Sequence, residues 1–125
     1  MLAFLTLLAC DAMDNIPLNP DNIDTSGGTW SLILSPSPQP QTAGEASLSI
    51  GIINNATGDY DLDAEITALT PWMPNHNHGI SEEPVIANHG DGTADATWIY
   101  SMSGYWELTI VVDNSEESII GYEVY

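Results

Sequence analysis

Apolar side chains recur at every second position through most of this chain, and that period restricts it to strands buried on one face. Trp30, Leu32 and Leu34 share one face of a first predicted strand, and Leu48, Ile50 and Ile52 one face of a second. Tyr60, Leu62, Ala64, Ile66 and Ala68 predict a long third strand, with Asp59, Asp61, Asp63, Glu65 and Thr67 on its other side. Trp98, Tyr100 and Met102 follow the same rule, as do Trp106, Leu108, Ile110 and Val112, and then Ile120, Tyr122 and Val124. Pro84-Val85-Ile86-Ala87 adds a shorter segment, and no window of comparable length carries a 3.6-residue stripe.

Turn signals separate these runs: Ser35-Pro36-Ser37-Pro38-Gln39-Pro40, Asn54 to Asp59, Asn88-His89-Gly90-Asp91-Gly92, and Asp113-Asn114-Ser115. The fold expected is all-β, an immunoglobulin-like antiparallel β-sandwich of about seven strands. It occupies residues 28–125, and Trp30, Trp98 and Trp106 help to fill its core.

Charge removes several function classes. The chain has no lysine or arginine and 18 aspartates and glutamates, a formal net charge of -18. It has nothing with which to neutralise phosphates, so nucleic acid is excluded as a partner, and an anionic bilayer surface repels it. Such a surface concentrates cations, and it also keeps a protein soluble, often in saline habitats.

The single cysteine, Cys10, follows the short apolar run Leu2 to Ala9. That run is too short to span a bilayer and has the size of a signal-peptide core. Leu7-Leu8-Ala9-Cys10 resembles the bacterial lipobox, although the usual basic n-region is missing. Residues 1–9 are therefore expected to be a lipoprotein signal, Cys10 the lipidation site, and residues 10–27, rich in Asp, Asn, Pro, Ser and Gly, a flexible tether. The expected location is the bacterial cell envelope, lipid-anchored. Once Cys10 is lipidated no thiolate remains, which argues against electron transfer of the cupredoxin type.

The chemistry-bearing segment is Met73-Pro74-Asn75-His76-Asn77-His78-Gly79. Thioether sulfur suits Cu(I) and imidazole suits both copper oxidation states, so Met73, His76 and His78 form a plausible copper donor set, with Zn(II) an alternative. An extended stretch over 76–78 would put His76 and His78 on one side. Pro71 and Pro74 stiffen the approach. Met102 adds a second thioether if the fold brings it alongside, and Trp72 could cover the ion with its indole face.

Other motifs carry less. Asp59-Tyr60-Asp61-Leu62-Asp63 opens like a calcium loop, but Ala64 and Thr70 stand where that loop needs Gly and Glu. Asn55-Ala56-Thr57 fits a glycosylation pattern that means little in bacteria. There is no serine elbow or Gly-rich phosphate loop, and a zinc trio from His76, His78 and an acid or His89 matches no known spacing. No enzymatic activity is expected. His89, in a turn, reads as a bystander.

The order of features resembles the YtkA-like domain, related to the FixH family. That group shows a Met-Pro-x-(Met/His) loop, a later Gly-x-Gly turn and a Met-x-Gly-x-Trp-x-Leu strand; here these are Met73 to Gly79, Gly90-Asp91-Gly92 and Met102 to Leu108. The resemblance spans roughly Trp30 to Asp113. It implies an envelope β-sandwich, often a lipoprotein, with a role in copper handling or in support of haem-copper oxidases. It points to Met73, His76, His78 and Met102 as ligands, with Cu(I) favoured, and to a copper-acquiring membrane protein or an oxidase as partner. FixH-type proteins keep a transmembrane helix, whereas this chain has the lipobox.

Overall fold

The computed structural model describes residues 16–125. The signal segment, Cys10 and the first part of the expected tether lie outside the described residues. Two antiparallel sheets pack into a sandwich. The strands are β1 (Asn22–Asp24), β2 (Trp30–Ser37), β3 (Gly44–Asn54), β4 (Ile66–Met73), β5 (His78–Gly79), β6 (Val85–Asn88), β7 (Thr93–Tyr100), β8 (Gly104–Val112) and β9 (Glu116–Val124). One sheet has the order β1-β2-β3-β7-β6 and the other β5-β4-β8-β9. The inward faces of β2, β3, β7, β8 and β9 are those read from the alternation, and Trp30, Trp98 and Trp106 are all buried.

Two expectations need correction. The long third strand does not exist as drawn. Between Tyr60 and Glu65 the chain turns, because the Asp61 carboxylate competes for backbone and side-chain donors: it accepts Asp63 N at 3.1 Å, Trp30 Nε1 at 2.9 Å and Asn54 Nδ2 at 3.2 Å. Tyr60 and Leu62 are exposed, and the strand begins only at Ile66. A β-bulge then intervenes: Ile66 pairs with Val112 but Ala68 with Val111, so Thr67 is an extra residue. The inward positions shift from Ile66 to Leu69, Pro71 and Met73, and Ala68 loses its expected core place. Parity at the end of β4 is thus opposite to that at its start.

The tether is also shorter than expected. From Pro17 onward the chain is bound to both sheets. Gly121 N donates to Pro17 O at 2.8 Å and Asn19 N to Gly121 O at 2.9 Å along the open side of β9, and β1 then pairs with β2. Edge strands present unpaired polar groups that need a partner, and this polar segment supplies one. Its far end is clasped by the Glu116 carboxylate, which accepts from Thr25 Oγ1 at 2.6 Å, Gly27 N at 3.1 Å, Thr29 N at 3.1 Å and Thr29 Oγ1.

Those donors, Thr25 first, hold the Glu116 carboxyl below its ordinary value of 4.5. A carboxylate whose folded pKa is depressed contributes stability above its unfolded pKa and loses it as pH falls through the folded one. Acidification also relieves the self-repulsion of a net charge of -18, so the contribution is read against a variant. Glu116→Gln is expected to melt below wild type near neutral pH, and the gap should close as pH drops below 4.5. A gap that stays constant across that window, measured by thermal denaturation, would show that the clasp does not depend on the charge.

Candidate metal centre

The seven-residue loop is a hairpin turn joining β4 to β5. Met73 and His78 are opposite one another across the hairpin, and Pro74 to Asn77 form the turn between them. His76 N donates to Met73 O at 3.2 Å, closing the first turn, and Asn77 takes φ 55°, a left-handed conformation that Asn tolerates. Residues 76–78 are therefore not extended as expected. The turn nonetheless brings the two imidazoles together, with ring centroids 6.0 Å apart and planes inclined by 40°.

That spacing is informative. A metal–nitrogen bond of about 2.0–2.1 Å puts each ring centroid roughly 3.2 Å from the ion, so two imidazoles on one ion have centroids about 5.2–6.4 Å apart, from tetrahedral to linear. The observed 6.0 Å lies inside this range. His78 is also oriented: Nδ1 lies 3.1 Å from Gly79 O, so as a donor there it leaves the Nε2 lone pair free.

Met73 stands beside His78 in the hairpin ladder but is almost wholly buried, 1% exposed. Its Cε packs directly onto Gly104, at the start of β8, where a Cβ would collide with it; φ at Gly104 is 129°, a region favouring glycine. Met102 lies two residues earlier in the β7–β8 turn and is 37% exposed. Its carbonyl accepts the Trp106 indole N–H at 3.0 Å, and the His78 and Trp106 rings make a T-shaped contact at a centroid distance of 6.0 Å and 78°. The β4–β5 and β7–β8 turns thus meet around Trp106, with the histidines on the outside and the Met73 sulfur on the inside. The contact of Trp106 with both turns was not read from the sequence, where the residue appeared as core filler and within the Met-x-Gly-x-Trp-x-Leu strand. Its spacing from Met102 and Gly104 was the available signal.

One residue, Trp72, is placed differently from expectation, and His89 lies apart from the turn, as a bystander would. Trp72 is 40% exposed and, by strand alternation, stands on the face of β4 opposite Met73, against Gly79. It is not positioned to cover an ion held on the Met73 side. His89 belongs to the far end of the domain: the preceding Asn88 brackets the backbone of Ile66 with hydrogen bonds of 2.8 and 3.0 Å. Met73 lies seven residues farther along β4, roughly 23 Å at about 3.3 Å per residue. His89 instead contacts Asp95, Nε2 to Oδ2 at 2.9 Å. Among the described residues no group of three or more His, Cys, Asp or Glu is arranged to hold a metal, so the zinc trio has no structural counterpart. The donor set on offer is two imidazoles with methionine sulfur, a soft set that suits copper.

No protein-family model and no curated protein matches the sequence. Among solved structures, the Lin-41 filamin domain is similar, with a TM-score of 0.51 and 13% sequence identity over 74% of this chain and 91% of that one. The fold is immunoglobulin-like. At that identity the likeness describes the architecture of the two sheets alone.

Proposed function

We propose that this domain is a copper-binding module of the bacterial cell envelope, lipid-anchored through Cys10. It holds one ion, Cu(I) in preference to Cu(II) or Zn(II), and passes it to or from a partner such as a copper-acquiring membrane protein or an oxidase. The observation that carries the reading is the 6.0 Å separation of the His76 and His78 rings in an exposed turn. His76 is exposed to an arriving ion, while His78 is held by Gly79 O and by its T-shaped contact with Trp106. Met102 is the accessible sulfur and Met73 the inner one. The resemblance to YtkA-like domains supports the same four residues. Bound copper would supply no turnover in this reading; the protein's part is to hold and release.

The test is a Cu(I) titration of the full chain carrying Cys10→Ser, against a competing chelator. One tight equivalent is expected. The His76→Ala/His78→Ala variant should lose more affinity than the ~10–100-fold that loss of an outer-shell partner costs, with its circular dichroism unchanged. Equal competition by both proteins would sink the copper reading. A second reading, a protein-interaction module without metal, is compatible with the immunoglobulin-like fold and is favoured by exposed apolar side chains on β6 and β7, away from the histidines.

A further inference from the structure

Two of the four most exposed large apolar side chains among the described residues lie together where β6 leaves the five-stranded sheet. Val85 is 68% exposed and Ile99 58%. Val85 is opposite Thr97 in the last pair of the β6–β7 ladder, and the residues preceding Val85 are not strand-paired. Ile99, two residues beyond Thr97 and on the same face, therefore has no β6 neighbour. On its other side it pairs with Glu45 of β3. Together with Glu82 and Glu83 these residues line a groove of about 660 Å³. It is an apolar strip flanked by three carboxylates.

We propose that this groove docks a basic segment of a different protein, one that sets an apolar side chain against Val85 and Ile99 and places lysine or arginine against Glu45, Glu82 and Glu83. An exposed apolar patch rimmed by like charge selects a partner of opposite charge with an apolar anchor. Residues 1–125 contain no lysine or arginine, so neither they nor the same residues of a second copy can satisfy the rim. An anionic lipid surface is repelled by the same carboxylates. The partner is thus heterologous and cationic. Only Ile80 separates β5, which carries His78, from the Ser81–Glu83 stretch of the groove, so a docked segment and the histidine turn share one short connection.

The experiment uses the full chain without metal and a fluorescein-labelled synthetic peptide alternating lysine with isoleucine, followed by anisotropy. Binding is expected to weaken with salt, and to weaken by roughly tenfold or more in Val85→Thr/Ile99→Thr and in Glu82→Gln/Glu83→Gln, as for truncation of anchor residues. His76→Ala/His78→Ala should bind as wild type does, which separates this proposal from the copper reading. Both Val85 and Ile99 are exposed, so their variants should keep the wild-type melting temperature. Absence of peptide binding would overturn the proposal. So would groove variants that bind as tightly as wild type, since that result reports diffuse attraction to the acidic surface.

Discussion

Trp106→Ala is expected to lower the unfolding free energy by about 3–5 kcal/mol, near the top of the range for single core substitutions. Trp106 is 0% exposed, on the inward face of β8. Its ring lies 5.2 Å from that of Tyr100, inclined at 55°, and Tyr100 in turn meets Trp98 edge-on at 5.6 Å. Truncation opens a cavity that these rings cannot refill, since each is fixed by its own strand. It also removes the donor to Met102 O and the surface on which His78 rests. Trp106→Phe keeps a ring against Tyr100 but leaves that carbonyl without its partner, and should cost about 1–3 kcal/mol. Urea denaturation reads both. An alanine variant within about 1 kcal/mol of wild type would show that the two turns do not depend on this indole.

The second large effect is at Met73, where packing and ligation can be separated. Met73→Ala deletes a buried side chain against Gly104 and should cost about 2–5 kcal/mol. Met73→Leu nearly conserves volume and should cost less than about 1.5 kcal/mol. If Met73 is the inner sulfur ligand, the leucine variant folds and nevertheless binds Cu(I) more weakly than wild type. Leucine with full Cu(I) affinity would remove Met73 from the ligand set and leave His76, His78 and Met102. Competition titration of the two variants at matched folded fraction distinguishes these outcomes, because the stability loss and the ligand loss then appear in different proteins.

The alternation of apolar residues revealed the inward faces of β2, β3, β7, β8 and β9, since the core residues of each keep one phase. It failed where phase was broken. Asp59 to Asp63 alternates like a strand, yet an aspartate can accept from the backbone two residues on, and Asp61 does so. Period two cannot register that competition. The segment 16–27 has the composition of a linker because it buries little; hydrogen bonds to β9 and β2 and the distant Glu116 carboxylate hold it in place. The carboxylate lies 91 residues from Thr25 in the chain, beyond any local pattern. At the candidate site the histidines and Met73 were legible as residue types, while their arrangement depends on Asn77 taking a left-handed turn and on Trp106. The groove at Val85 and Ile99 was not legible at all, since it arises from where one short strand stops pairing with its neighbour.

The bulge at Thr67 behaves like a reading frame for the hairpin beyond it. Everything downstream on β4 is displayed in the frame it sets, with sulfur toward the interior and indole toward the outside. Losing one residue there would change no donor in the turn, yet it would exchange the two: the Trp72 ring would be driven into the core and the Met73 sulfur presented to solvent. What the tip of this hairpin displays is therefore governed by the length of the chain several positions earlier, and a homologue with the same turn but an unbulged strand would present a different face to solvent.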